Sequence, residues 1–326
     1  MPAVSVIVPN YNHAPYLKKR LDSILNQTYD DFDVTILDDC STDSSRILID
    51  TYRKHPKVSG VIYNRTNSGS TFHQWNKGVE LSKGEIIWIA ESDDFSDPDF
   101  LSGLVPVMLG NDRIGVAYSQ SFQVNTDDEI IWNFRHFTDD LSVSQFETDF
   151  IMGGREFIRQ YLVHKNVIPN ASGAIFRKKV FLEAGGADPK IKHCSDWFTW
   201  IKILHNSDVF YSARPRNFFR YHPNSVIARA NREQQPGNNP HINSFVMRSE
   251  LDRYLRQHAP DSIGIINTNL DYISKGYGAE GIYDLKNKYW VRGWRKIFKS
   301  FQSGSSGFHF FMVGVKQSVR NILGLR

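Results

Sequence analysis

Cysteine is nearly absent: 326 residues hold only Cys40 and Cys194. That count offers neither a disulfide framework nor the thiolates of a Cys-based zinc site, so both residues read as small apolar filling. No apolar run approaches the roughly 20 residues that a membrane-spanning helix needs. The start, Met1-Pro-Ala-Val-Ser-Val, enters a strand-like segment with no charged region, apolar stretch or cleavage site of a signal peptide, which predicts a reducing, cytoplasmic setting. Acidic residues are missing from one stretch altogether. Between Lys286 and Arg326 there are nine Lys or Arg and no Asp or Glu, although the net charge of the whole chain is only +4. So small an excess gives no reason to expect nucleic acid as a partner, and the aromatic spacing matches no nucleic-acid-binding module. With 40% hydrophobic and 23% charged residues, wholesale disorder is excluded.

What is present is an alternation. Val4 to Val8 is a short apolar run stopped by Pro9, the pattern of a buried parallel strand. Leu17, Leu21, Ile24 and Leu25 share one helical face. A strand at Val34–Leu37 ends in Asp38-Asp39, and Ser41-Thr42-Asp43 offers caps for a helix holding Ile47, Leu48 and Tyr52. Val58–Tyr63 and Glu85–Ala90 repeat the strand pattern around a helix with Phe72, Trp75 and Val79. Four such alternations within about 95 residues predict an α/β fold with a doubly wound, mostly parallel sheet. Ligands in such sheets bind beyond the carboxyl ends of strands, where the carboxylates at 38–39 and 91–94 fall.

Further along, strands are predicted at Val116–Val124 and Ile175-Phe176, short helices at Lys178–Ala184 and Asp196–Leu204, and polar loops at Asp139–Glu147 and Asn224–Asn243. From Ser244 the chain reads as helical, then basic and aromatic. The domain reading is a catalytic unit over 1–225, split into a nucleotide-binding half (1–100) and an acceptor half (101–225). A loop and helical extension follow over 226–326.

Bunched acids after a buried strand repel one another and lose solvation, and a divalent cation such as Mg²⁺ or Mn²⁺ relieves both costs. The same acids can instead cap the following helix. Asp39 can accept a hydrogen bond from a nucleobase imide or can serve as a turn residue. Asp196, ahead of an aromatic helix, can act as a general base or as a plain N-cap. His222, in Arg220-Tyr221-His222, can add an imidazole to a metal or phosphate site.

Taken together, Val4-Ser-Val-Ile-Val-Pro-Asn-Tyr-Asn12, Leu21-Asp-Ser-Ile-Leu-Asn-Gln-Thr28, Leu37-Asp-Asp-Cys-Ser-Thr-Asp43 and Trp88-Ile-Ala-Glu-Ser-Asp-Asp94 resemble the inverting family 2 glycosyltransferases. The resemblance covers about residues 3–225. It implies a GT-A fold, a nucleotide-sugar donor (UDP-linked in the simplest reading), Mn²⁺ or Mg²⁺ as cofactor, and a glycan or lipid-linked acceptor in polysaccharide synthesis. It further implies that Pro9 and Tyr11 lie against the nucleoside, that Asp39 reads the base, and that Asp93 serves ribose and metal. Asp94 and His222 then hold the metal, Asp196 is the catalytic base, and Ser195 and Trp197 meet the acceptor. Two departures stand out: Glu91 occupies a position where Asp is common, and Ser195 stands where many relatives carry a second acid. A sugar nucleotidyltransferase is the rival enzyme, but the loop Pro9-Asn-Tyr-Asn-His13 lacks that class's Gly-rich triphosphate grip. A catalytically inactive glycan-binding scaffold is the rival of another class. The basic, aromatic segment 286–326 suits an anionic membrane surface, which makes the protein peripheral on the inner face of the membrane; packing on another subunit is the alternative.

Overall fold

The computed structural model describes residues 1–191, 194–223, 225, 228 and 242–322. The chain divides into two compact units, Met1–His222 and Pro223–Arg326.

The first unit begins with β1 (Val4–Asn10), α1 (Ala14–Leu25), β2 (Phe32–Asp38), α2 (Ser45–Tyr52), β3 (Val58–Tyr63), α3 (Thr71–Leu81) and β4 (Ile86–Ile89). All seven residues of β1 are buried, the polar Ser5 and Asn10 included, as expected for a strand covered on both faces. β1 pairs in parallel with β2 on one side and β4 on the other, and β2 pairs in parallel with β3. The register sets Asn10 opposite Asp38, so two strands finish level at the same sheet edge. Leu17, Leu21 and Ile24 of α1 pack into the core with Val6, Val34, Ile86 and Trp88.

The second half of this unit is mixed. It runs through β5 (Phe95–Ser96), α4 (Phe100–Leu109), β6 (Ile114–Val124), β7 (Ile130–Asn133), β8 (Phe150–Gly153), α5 (Gly154–Phe157), β9 (Ala174–Arg177), α6 (Lys178–Glu183), α7 (Ser195–Leu204) and β10 (Asp208–Arg220). The sheet order is β3-β2-β1-β4-β9-β6-β10-β5, with β7 on β6 and β8 on β10. β9 is antiparallel to both β4 and β6, whereas β10 runs parallel to β6. The expected helices and strands near 116–124, 175–176, 178–184 and 196–204 all have counterparts. The loop expected at Asp139–Glu147 closes with a 3₁₀ turn over Gln145–Glu147.

The 13-residue β10 has no sequence signature. Its middle, Ala213-Arg-Pro-Arg216, reads as a loop, and the strand absorbs it through register shifts on both sides of Pro215. Proline is admitted at such irregularities because it has no ladder hydrogen bond to give.

The second unit contains α8 (Ile242–His258), α9 (Ile263–Lys286), α10 (Trp290–Ser303) and α11 (Gly307–Ile322). The expected loop Asn224–Asn243 falls almost wholly outside the described residues. Among the described residues no helix is long and apolar enough to cross a membrane.

Gly154 shows how tightly the site's scaffold is set. A Cβ there would stand 2.0 Å from the carbonyl oxygens of Leu204 and Ser207, at the end of α7. Backbone cannot retreat as a side chain can, so overpacking of this kind costs about 1–3 kcal/mol or more. Gly154→Ala should therefore lower the thermal unfolding midpoint by several degrees, measured by circular dichroism.

Candidate active site

The site grows from the carboxyl ends of β1, β2 and β4. Past β2, the Asp39 N–H donates to Asn10 O at 2.8 Å. The buried Asp38 carboxylate accepts from Asn10 Nδ2 (2.9 Å), Ser41 N (3.1 Å) and Arg46 Nε (2.7 Å). The buried Asp39 carboxylate is equally occupied: Oδ1 accepts from Asn64 Nδ2 (2.6 Å) and Gln74 Nε2 (2.9 Å), and Oδ2 from Ser68 Oγ (2.7 Å). Pro9 is buried in β1, whereas the Tyr11 ring is 41% exposed beyond the strand's end.

Residues 41–43, expected to cap α2, lie ahead of its N-cap Ser44 and clamp the first loop. Asn12 N donates to Ser41 Oγ (2.9 Å), Asn12 Oδ1 accepts from Thr42 N (2.7 Å), and Ala14 N donates to Asp43 Oδ2 (2.9 Å). Asn12 sits at φ 57, a left-handed conformation that Asn tolerates. His13 is therefore held from both neighbours.

After β4 come the acids. Glu91 accepts from the Trp75 indole N–H at 2.7 Å and lies within 3.3 Å of Thr71 Oγ1, which ties it to α3. Burial and the Asp93 charge raise its pKa to about 8. Burial, then the Asp93 charge, raises Asp94 well above the ordinary Asp range. Asp93 moves the other way: burial opposes its ionisation, but His13 and His222 outweigh it. His222 Nε2 stands 3.1 Å from Asp93 Oδ2, and His13 Nδ1 stands 4.0 Å from Oδ1.

His13, Asp93 and His222 place one donor atom each within 4.8 Å of one another. One carboxylate and two imidazoles fit Mn²⁺ better than Mg²⁺, which prefers an all-oxygen shell. Asp94 stands behind this group. Its Oδ1 accepts the Arg220 N–H (2.9 Å) and its Oδ2 accepts from Asn170 Nδ2 (2.8 Å). Asp94, expected to hold the metal, is not a member of this cluster.

Asp196 lies in the first turn of α7, partly exposed, with Oδ2 accepting from Asn166 Nδ2 at 2.9 Å. Burial raises its pKa, against hydrogen bonds from the Trp197 N–H and Asn166. Ser195 Oγ donates to Asp188 O (2.8 Å) and the buried Trp197 donates its indole N–H to Leu162 O (2.7 Å), so both turn their polar atoms into the fold. His193, the first residue of this motif, lies outside the described residues. Asn166 and Asn170, bound to Asp196 and Asp94, are four residues apart, a stretch that reaches at most about 14 Å. One short segment thus carries both carboxylates' partners.

The model of glycosyl transferase family 2 matches residues 5–184, more than half of the chain. The chain belongs to this family. An uncharacterised glycosyltransferase of Nostoc sp. is 27% identical over 263 residues, covering 75% of this chain and 76% of that protein. Chondroitin synthase of Pasteurella multocida is 34% identical over 134 residues, 41% of this chain and only 14% of that one. Among solved structures, S. aureus TarS residues 1–349 in complex with UDP-GlcNAc superposes with TM-score 0.66 at 15% identity, covering 99% of this chain and 92% of that one. The fold is that of the GT-A glycosyltransferases.

Within this glycosyltransferase, sequence reasoning does not single out His13, Arg20, Asn166 or Asn170. His13 has a signal in hindsight, since it closes the loop after the first strand. The asparagines have none, because their partners lie 30 and 76 residues away. Arg20 reads as one more polar residue of α1, yet it is fully buried. Its guanidinium stacks 4.8 Å above Trp88, and no hydrogen-bond partner among the described residues meets its three nitrogens. Burial lowers its pKa to about 10, while Asp94, Glu91 and Asp93 pull it back up.

Arg220, 1% exposed, is the structural rivet: Nε donates to Asp93 O (2.8 Å), Nη1 to Asn125 O (2.6 Å), and Nη2 pairs with Asp128. Asp128 is exposed, so the cost of losing Arg220 lies in the carbonyls of Asp93 and Asn125, each left unsatisfied at about 1–3 kcal/mol. Arg220→Met should lose stability of that order in urea denaturation.

Proposed function

We propose that this chain is an inverting glycosyltransferase that moves a sugar from a UDP-linked donor to a hydroxyl of a glycan or lipid-linked acceptor in polysaccharide or cell-surface glycan synthesis. One observation carries the reading. The Asp93–His13–His222 group lies beyond the carboxyl end of β4, and the segment 166–170 joins Asp94 to Asp196. A transferase needs those two parts side by side: a place for the diphosphate and a base for the incoming hydroxyl.

Each residue then has a task. Tyr11 offers its exposed ring to the nucleoside, with Pro9 beneath. Asp39 reads the uracil imide by exchanging one of its present donors, Ser68, Asn64 or Gln74, for the imide N–H. A divalent cation held by His13, Asp93 and His222 would neutralise charge on the diphosphate leaving group, with Asp94 joining it on release of Asn170. Asp196 takes the proton of the acceptor hydroxyl. As the new C–O bond forms at the anomeric carbon, the bond to the phosphate oxygen breaks with its electron pair, and the configuration inverts. Ser195 and Trp197 support the acceptor side from within, fixing the first turn of α7. The polysaccharide reading is supported by the likeness to chondroitin synthase, and the UDP reading by the chemistry of Asp39 and the likeness to TarS.

Two measurements test this. Nucleotide release should be followed across a panel of UDP-, dTDP- and GDP-sugars with an acceptor glycan. Asp196→Asn should lower kcat by about 10²–10⁴-fold with little change in donor Kd. A wild-type chain that releases no nucleotide from any donor would sink the proposal. Because burial raises the Asp196 pKa, the acid limb of kcat against pH should lie above the ordinary Asp value of about 3.9 and disappear in Asp196→Asn. For the cation, Mn²⁺ should raise the melting temperature of the wild type in proportion to its affinity. His222→Ala and His13→Ala should each weaken Mn²⁺ binding by about tenfold or more, as read by electron paramagnetic resonance of free Mn²⁺. Unchanged binding in both would remove the imidazoles from the ligand set.

A further inference from the structure

We propose that the outer faces of α10 and α11 seat this protein on an anionic lipid bilayer. The inner faces of these helices are already spent on their own unit. Gly281 of α9 and Gly293 of α10 meet backbone to backbone, each added Cβ lying 2.9 Å from the other's carbonyl oxygen. A Cβ on Gly314 of α11 would stand 2.5 Å from Ile297 Cδ1. Ser300 Oγ donates to Ser274 O at 2.7 Å, closing the α9–α10 seam.

On the other side, apolar side chains face water. Phe308, Met312, Val315, Val319 and Ile322 of α11 are all exposed, the last by 76%. At 3.6 residues per turn they fall within an arc of about 80°, with Lys316 and Arg320 on one flank. α10 repeats the plan, with exposed Val291, Phe298 and Phe301 flanked by Arg295 and Lys299. Phe311 joins the two stripes, its ring centroid 5.8 Å from that of Trp294 and 6.2 Å from that of Phe298. An apolar stripe bordered by cations is the form of a helix lying in a membrane interface, where the rings enter the acyl boundary and the basic groups stay with the headgroups.

Charge decides between a bilayer and a second copy of the chain. The 4-3-4-3 spacing on α11 would also serve a helix–helix seam. Arg292 and Lys296 are paired with Asp284, and Lys296 also with Glu280. Arg295, Lys299, Lys316 and Arg320 make no ion pair among the described residues, and no acid follows Asp284 in the sequence. Two copies face to face would bring cation against cation with nothing between them, whereas anionic headgroups complement every one.

The test is flotation of the full chain with vesicles of phosphatidylcholine alone or containing roughly a third phosphatidylglycerol, where the anionic lipid attracts each basic residue. The wild type should float with the anionic vesicles and about tenfold less with the neutral ones. Val315→Asp, and separately Lys316→Glu with Arg320→Glu, should each lower flotation about tenfold, with unchanged circular dichroism and unchanged nucleotide release in the absence of vesicles. Equal flotation with both vesicle types, no flotation with either, or double-charge-reversal protein that floats as well as the wild type would overturn the proposal. So would a wild-type dimer in sedimentation that Val315→Asp dissolves without altering flotation. Because flotation needs no turnover, its failure leaves the glycosyltransferase reading intact, and the failure of that reading leaves flotation standing.

Discussion

A buried guanidinium at the end of β10 sets the terms for everything around it. Glu91, Asp93 and Asp94 follow one strand within four residues, and their mutual repulsion in a poorly solvated place would drive that loop outward. Arg220 counters this by hydrogen bonds to the loop, while the charge that acts on the acids is that of Arg20. The Arg220 N–H fixes Asp94, its Nε fixes the Asp93 carbonyl, and its remaining nitrogens bind the 125–128 turn. Because Arg220 closes β10, the strand must end at that level, and the register shifts around Pro215 are what bring it there. His222 lies two residues further on, so the strand that anchors the acidic loop also delivers an imidazole to Asp93.

The three acids are not equivalent as a result. Glu91 is pushed up by burial and spends its oxygens on Trp75 and Thr71, which suits a group that anchors α3 better than one that binds a cation. Asp94 is raised but held by two donors. Asp93, between two imidazoles, is the carboxylate that stays ionised. Arg20 lies beneath them, and a buried cation without hydrogen-bond partners is tolerable only where carboxylates stand near. The position taken by Glu91 in place of Asp thus has a physical consequence: the longer side chain reaches the indole of Trp75.

The parallel half of the fold is legible in the sequence because its signals are local. Val4–Val8, Val58–Tyr63 and the helical faces of α1 and α3 each announce themselves within a dozen residues. β10 does not, since Arg214, Pro215 and Arg216 break its pattern and only pairing with β6 makes it a strand. The carboxylates at 39, 93, 94 and 196 are visible as residues, and their neighbours are not. Nothing near Asp39 foretells that Ser68 and Gln74 would fill its oxygens, or that Ser195 and Trp197 would turn inward. Those facts arise from chain crossings that no periodicity encodes.

The link from Asp94 to Asp196 joins the parallel first half of this unit to its mixed second half. Asn170 must meet Asp94 and Asn217 together, with Asn217 Nδ2 donating to Asn170 Oδ1 at 2.9 Å. That fixes one end of the segment against the sheet. Asn166 then carries the other end to α7, whose last turn is set by the close approach of Gly154. Asp196 is thereby located relative to Asp93 and Asp94 by backbone, not by direct contact between carboxylates. In the base role proposed for Asp196, a proton affinity raised by burial makes a better acceptor for a hydroxyl proton as long as the carboxylate is ionised. Asn166 and the Trp197 N–H oppose the effect of burial, so the same bonds that place Asp196 also restrain its pKa.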